Sequence, residues 1–430
     1  MMKNPRIALL AGLALALALL GLVFTSNLVD FPVYYAAGRS LLSGRTDLYA
    51  PDFALGVVMD YRYPPFFLLA ILPLCALPYS IAAYVWYLLL AAAAVGCVIV
   101  VARAAPISRK PAATLWIVTL AVAQYFVMAL HYGNAHLLVV FLFFAAMYFL
   151  TAGRSTLAAL PLSLGITIKL TPILLLPYLV LKKKWTLMLA LCLLLVTLNL
   201  IPALYFGVAR NNELLKSWYG HVIASQEFHE QNGPINLSLK GQLRRYFSDT
   251  DYSGRVDGDL RYPAVNVASF STEQTDGAWL VAAGLLFLSG LWLVARTRGR
   301  MSLNDDQSRR TFDRIASLEI SLMICLTLLV GPLTSKIYFV ALLWPVACLA
   351  SFVVRGDGSA VKFGKGVLIS MAIANSVLPL LPGRLVQRWL LVVGVDFYLT
   401  CLLMIAVGYA LIVESREIRT RFGERQTPAR

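Results

Sequence analysis

Charge is scarce in this chain. Only 14% of its 430 residues are Asp, Glu, Lys or Arg, while 59% are hydrophobic. No soluble domain of this length has an interior for so much apolar surface, so an all-α polytopic membrane protein is expected. Acidic residues are the scarcer sign, 22 against 37 basic ones. In so apolar a chain this excess belongs to loops retained on the cytoplasmic side, and it points to no nucleic-acid partner. The six cysteines (Cys75, Cys97, Cys192, Cys325, Cys348 and Cys401) form no C-x-x-C and all sit in apolar stretches. They are expected as packing residues, neither a disulfide framework nor a metal clasp. A P-loop, H-E-x-x-H, G-x-S-x-G and a Rossmann-type G-x-G-x-x-G are all missing. Nucleotide-driven transport and serine hydrolysis therefore lack their machinery. No clear small-residue cleavage site follows the first apolar run, Ile7 to about Phe24, so that run is expected as an uncleaved span. No separate soluble domain, low-complexity linker or internal repeat is evident.

What is present is a series of apolar stretches. A span needs about 20 such residues. They occur at roughly 7–26, 80–102, 112–130, 137–153, 185–205, 277–295, 315–333, 337–354, 366–383 and 390–412. The stretch from Ser155 to Leu181 is long enough for one more crossing. A single crossing, however, would put Lys182, Lys183 and Lys184 opposite Arg154 and invert every later basic loop. Two re-entrant half-helices turning near Lys169, Thr171 and Pro172 avoid this, because proline disfavours helix just before it. The cytoplasmic segments then carry 23 Lys+Arg against 7 Asp+Glu. The outer segment 27–64 carries 3 and 4, and the large outer loop 206–276 carries 7 and 9. The expectation is about ten full spans plus two half-helices, about 12 in all. Both termini are then cytoplasmic, with a first outer loop at 27–79 and a basic tail at 413–430 lying on anionic headgroups or disordered.

Asp30 is the residue that stands out most. It follows the first span directly, where an ionisable side chain is costly and suggests function. It could instead cap a helix starting near Pro32. The same outer loop holds Tyr34, Tyr35, Arg39 and Tyr63, which are candidate pocket residues or ordinary interfacial anchors. A short apolar stretch, Phe66–Leu77, is expected to lie at the interface. The turn H-Y-G-N-A-H, His131 to His136, offers His131 and Asn134 to a substrate. Its two histidines lack a third ligand nearby, so no metal is expected. Lys169 lies deep in an apolar segment; it either snorkels or holds a phosphate from a broken helix. Lys336, in G-P-L-T-S-K-I-Y, is a second such cation. In the large loop, P-I-N-L-S-L-K-G-Q-L-R-R-Y-F is expected as an amphipathic surface helix. Leu239, Leu243 and Phe247 share one face, and Arg244 and Arg245 are available for headgroups or phosphate.

Four of these segments, taken in order, resemble glycosyltransferase family 87 of the GT-C superfamily. They are D-F-P-V-Y-Y-A-A-G-R-S-L-L-S-G-R-T-D-L-Y followed by Y-P-P, then H-Y-G-N-A-H, then G-I-T-I-K-L-T-P with its K-K-K-W sequel, then N-L-S-L-K-G-Q-L-R-R. They cover about 30 to 250. The resemblance implies a GT-C-type fold and a hexosyltransferase in a prokaryotic inner membrane. Such an enzyme moves a sugar, mannose first, from a polyprenyl phosphate to a lipid or glycan hydroxyl on the outer face, without a cofactor and with inversion. It aligns Asp30 with the family's catalytic aspartate, and Lys169 and Pro172 with its Lys-x-x-Pro segment. Where many members have S-P-x-S-W and a later histidine pair, this chain has G-P-L-T-S-K-I-Y, so their role would pass to Lys336 or be absent.

The expected chemistry is a single displacement. Asp30 takes the proton of the acceptor hydroxyl, while Lys169, Arg244, Arg245 and Lys336 hold the donor phosphate. Tyr34, Tyr35, Arg39, Tyr63, His131, Asn134 and Asn236 line the pocket. The competing expectation is a flippase or transporter for a lipid-linked sugar, since broken helices also serve transport. Against it, no paired carboxylates stand at midplane.

Overall fold

The computed structural model describes residues 19–50, 52–57, 59–104, 112–225, 233–257, 260–297 and 306–423. Long apolar stretches become helices because a helix satisfies every backbone N–H and C=O within itself, which a bilayer demands. In chain order the helices are α1 (Phe31–Leu42), α2 (Pro65–Cys75), α3 (Tyr79–Ala104), α4 (Ala112–Tyr132), α5 (His136–Thr151) and α6 (Ser155–Ile168). Then come α7 (Leu176–Leu181), α8 (Trp185–Leu200), α9 (Ala203–Phe206), α10 (Val208–Trp218), α11 (Leu239–Phe247) and α12 (Thr272–Arg296). The last are α13 (Asp306–Val330), α14 (Leu343–Arg355), α15 (Ser359–Val377), α16 (Arg384–Val393) and α17 (Val395–Gly423). Among the described residues the only strands are the two-residue pair Val256–Asp257 and Leu260–Arg261.

The fold is all-α and polytopic. Among the described residues, seven helices are long and apolar enough to cross a membrane, or eight if a pair bent by 70° (Leu19–Asn27 with Phe31–Leu42) is one span. That is fewer than the twelve or so expected, and the difference has identifiable sources. Most of the first expected span lies outside the described residues. The stretch expected at 137–153 is a helix of only 16 residues. The helix expected at 315–333 begins at Asp306, so its first turns are polar. Gly394, whose φ of +84° ends one helix before the next begins, divides the span expected at 390–412, but the part from Val395 is itself among the seven, so this break removes no span. That part, α17, continues to Gly423, so the tail expected on headgroups or in disorder is helical well past residue 412.

The expected break near Lys169 is present. α6 stops at Ile168, Lys169 is extended (φ −153°, ψ 126°), and a 3-10 turn over Thr171–Leu175 leads into α7. Lys169 Nζ donates to the Tyr338 hydroxyl. Tyr338 lies just beyond the Val330 end of α13. Thirteen residues later, Lys182 Nζ donates to Glu319 Oε1 at 2.6 Å, midway along α13. Thr297, at the close of α12, donates to that same oxygen. The helix is therefore interrupted at Lys169 and resumes within a few residues.

The core is laid around α14 and the 3-10 segment Lys336–Leu342, which are buried on nearly all sides. α12 is the contrary case, an apolar helix with most of its surface outward. The cysteines are all free; Cys75, Cys97, Cys325 and Cys348 are buried, and Cys192 is exposed.

Candidate active site

Two turns at the same end of the bundle create the site. The first lies between the bend after Leu28 and α1. Asp30 occupies the N-cap position of α1, with Pro32 in the first turn. Yet its carboxylate caps nothing: no hydrogen bond runs from the first helical N–H groups to that side chain. Its backbone N–H donates to the Tyr132 carbonyl at 2.9 Å. This ties α1 to the second turn, Tyr132–Asn134, between α4 and α5. Gly133 makes that turn with φ +66°, and a Cβ there would come within 3.1 Å of Leu28. Trp86 of α3 fixes the turn from below by donating to the Gly133 carbonyl at 2.8 Å.

Asn134 joins the two turns chemically. Its Nδ2 donates to Asp30 Oδ2 at 3.0 Å, while its Oδ1 accepts from the backbone N–H of His136 at 2.7 Å. Asp30 Oδ1 accepts no hydrogen bond among the described residues. The carboxyl is half-buried, and burial raises its pKa, partly opposed by the Asn134 hydrogen bond and the charge of Lys169. Tyr34 donates to the Tyr63 hydroxyl at 2.8 Å. Burial, and after it the nearby Asp30, raise the Tyr63 phenol, so it stays protonated. The wall behind these groups is aromatic. Phe31 stacks on Trp86 at 5.7 Å, and Tyr34 meets Tyr63, Phe67 and Trp86 edge to face at 5.0, 5.2 and 5.9 Å. Such a wall fixes orientation with little side-chain freedom to lose.

Lys169 completes the cluster from the broken segment. Its ammonium lies over the Tyr338 ring at 3.8 Å from the centroid. On that ring, at 4.2 Å and nearly parallel, lies His136. Neither nitrogen of His136 makes a well-formed hydrogen bond. Among the described residues, the outcome is a half-buried carboxylate with one open oxygen, a cation with no carboxylate bonded to it, and phenol and amide donors beside them. One group can accept a proton, and another can receive an anion.

Of the residues singled out in the sequence, Asp30, Tyr34, Tyr63, Asn134 and Lys169 come together here. The others do not join the cluster. Tyr35 donates to the Leu77 carbonyl at 2.8 Å and packs on Tyr79. Arg39 is on the exposed side of α1. His131 meets Phe24 and Tyr132. Asn236 holds a loop: its Oδ1 accepts from Ser238 and Thr334 N–H, and its Nδ2 donates to the Pro332 carbonyl. Arg244 grips Asp276 through Nε and Nη2 at 2.8 and 2.7 Å, and Lys240 shares that carboxylate at 3.0 Å. Arg245, 1% exposed, donates to the carbonyls of Val392, Gly233, Pro234 and Asn236. Lys336 pairs with Asp396 at 3.6 Å, whose other oxygen accepts from Tyr125 at 2.7 Å.

His136 and Tyr338 were missed as site residues. Each sat within a motif already noted, at the end of H-Y-G-N-A-H and two residues past Lys336. In the first motif the pattern favours His131 and Asn134, and in the second Lys336. Among the described residues, no three His, Cys, Asp or Glu side chains gather as metal ligands. The profile of glycosyltransferase family 87 matches residues 61–332. No curated protein and no solved structure matches the chain.

Proposed function

Since the chain belongs to glycosyltransferase family 87, in the GT-C superfamily, we propose that the Asp30 cluster transfers a sugar from a polyprenyl phosphate to an acceptor hydroxyl. The observation that carries this is the open Oδ1 of Asp30, on two turns locked together through Asn134, near a Lys169 that makes no ion pair among the described residues. Asp30 accepts the acceptor's hydroxyl proton. The acceptor oxygen forms its bond to C1 of the sugar as the C1–O bond to phosphate breaks, with inversion. The electron pair of that bond leaves on the phosphate, where Lys169 stabilises the growing charge. Mannose is the first sugar to test, with a lipid or glycan as acceptor. The cluster faces the outer side of a prokaryotic inner membrane, with both termini cytoplasmic.

The test is turnover read by mass spectrometry. Purified protein receives a panel of polyprenyl-phosphate sugars with membrane lipid extract, beside Asp30→Asn. A sugar-sized mass gain on one acceptor, lost in the variant, is expected. Donor crossing proteoliposome membranes unchanged in mass, with no transfer from any donor, would replace this reading with a flippase.

A further inference from the structure

The family's late motif has no histidines in this chain, and Lys336 is the obvious substitute from the sequence. The structure gives that place to a different residue. Lys336 and Tyr338 lie on one 3-10 segment but go to different neighbours. Lys336 turns to Asp396, with Tyr125 on the far side of that carboxylate. Tyr338 turns to Lys169 and His136. An anion drawn to Lys336 would first have to displace a carboxylate already there. An anion drawn to Lys169 meets a neutral phenol on that ammonium, with the Asp30 carboxylate near it but in no ion pair with it among the described residues.

The arrangement around Tyr338 is directional. The phenol oxygen accepts from Lys169 Nζ, so its own proton is free to donate elsewhere. A hydroxyl polarised by an ammonium is a stronger donor than an isolated one. The ring is held in place, because His136 covers one face at 4.2 Å and the Lys169 ammonium lies over the ring at 3.8 Å from its centroid. His136 is 5% exposed, so it acts as a fixed wall. Lys169 itself is partly exposed, so an anion can reach the pair.

We infer that Tyr338, clamped between His136 and Lys169, is a donor-phosphate ligand. Its hydroxyl and the Lys169 ammonium bind one phosphate monoester together, and Lys336 takes no part. The inference deepens the transferase reading and rests on it for the identity of the phosphate.

Binding tests it apart from turnover. The full-length protein in nanodiscs is titrated with farnesyl phosphate, with farnesol as the uncharged control. Tyr338→Phe keeps the ring between its neighbours and removes only the hydroxyl. It should weaken farnesyl phosphate binding about tenfold, the value of one charge-assisted hydrogen bond, and leave farnesol unaffected. Lys169→Ala should weaken it further, and Lys336→Gln should bind as wild type. Unchanged affinity in Tyr338→Phe, or an equal loss in Lys336→Gln, overturns the inference. Should wild type transfer sugar while Tyr338→Phe binds normally, this inference falls alone. Should wild type transfer nothing while Tyr338→Phe still loses affinity, the transferase reading falls and the phosphate site stands.

Discussion

Two parts of this molecule gather basic side chains, and they use them in opposite ways. Around α11, Lys240 and Arg244 close on Asp276, and Arg245 is sunk among four carbonyl oxygens. The basic face of that helix points into the protein, while Leu239, Leu243 and Phe247 remain half-buried or exposed. Around Asp30, charge is left incompletely matched: one carboxylate oxygen is open and Lys169 rests on a phenol. Satisfied charge holds a fold together, and unsatisfied charge is retained where a substrate supplies the partner. The sequence makes the two regions look alike, because composition counts cations without their neighbours.

The sharpest way to break this contrast is Asp30→Asn. Turnover should fall about 10²–10⁴-fold, the usual contribution of a positioned base. Unfolding temperature should rise rather than fall. Burial raises the Asp30 pKa, so the folded state holds the proton more tightly than the unfolded chain. Stability from this group is full below the ordinary aspartate value of about 3.9 and is lost as pH rises through the elevated one. At neutral pH the charge is a burden that Asn removes. A lower unfolding temperature would show that the carboxylate holds the fold after all.

Arg245→Met should give the reverse pattern. It leaves the carbonyls of Gly233, Pro234, Asn236 and Val392 without their donor in a buried site. A loss of at least about 3 kcal/mol in denaturant unfolding is expected. Burial pulls this guanidinium down to about 10, still charged at any pH the protein would be assayed. Wild-type stability in that variant would remove the distinction between the two regions.

Next in size is the pH profile. With Asp30 as base, kcat/KM should fall about tenfold per unit below its pKa. Asn134→Leu removes a hydrogen bond that lowers that pKa, so the acid limb should move to higher pH. An unmoved limb would assign the titration to another group. The smallest effect should come from Arg244→Gln, because Lys240 stays on Asp276. About 1 kcal/mol of stability is expected, with turnover per folded molecule unchanged. A loss of turnover there would return Arg244 to the donor site.

The sequence revealed the all-α membrane class, the break at Lys169 and the turn that carries Asn134. Each is written in local chemistry: apolar run length, a proline two residues after Leu170, and glycine before asparagine. It also marked Asp30, but left open whether the side chain capped α1. That depended on Asn134, 104 residues away, claiming the carboxylate first. The fate of Arg244, Arg245 and Lys336 was illegible for the same reason. Asp276, the carbonyls beside Gly233 and Asp396 are distant in the chain, and no periodicity announces them. Helix number was overcounted because apolar length alone does not say that a run such as 137–153 forms a helix of only 16 residues.

The helix leading to Lys169 also acts as a ruler. α6 has 14 residues, which at 1.5 Å per residue is about 21 Å. The apolar layer of a bilayer is about 30 Å thick. If α6 starts at one boundary of that layer and runs along its normal, a phosphate resting on Lys169 would lie some 10 Å short of the opposite headgroup plane. A carrier lipid would have to lower its own charged end out of water to be used. An acceptor confined to the surface would have to send its hydroxyl down to meet it. Depth would then select substrates before any side chain touches them: slender, lipid-anchored acceptors would be admitted, and broad, rigid ones stopped at the rim.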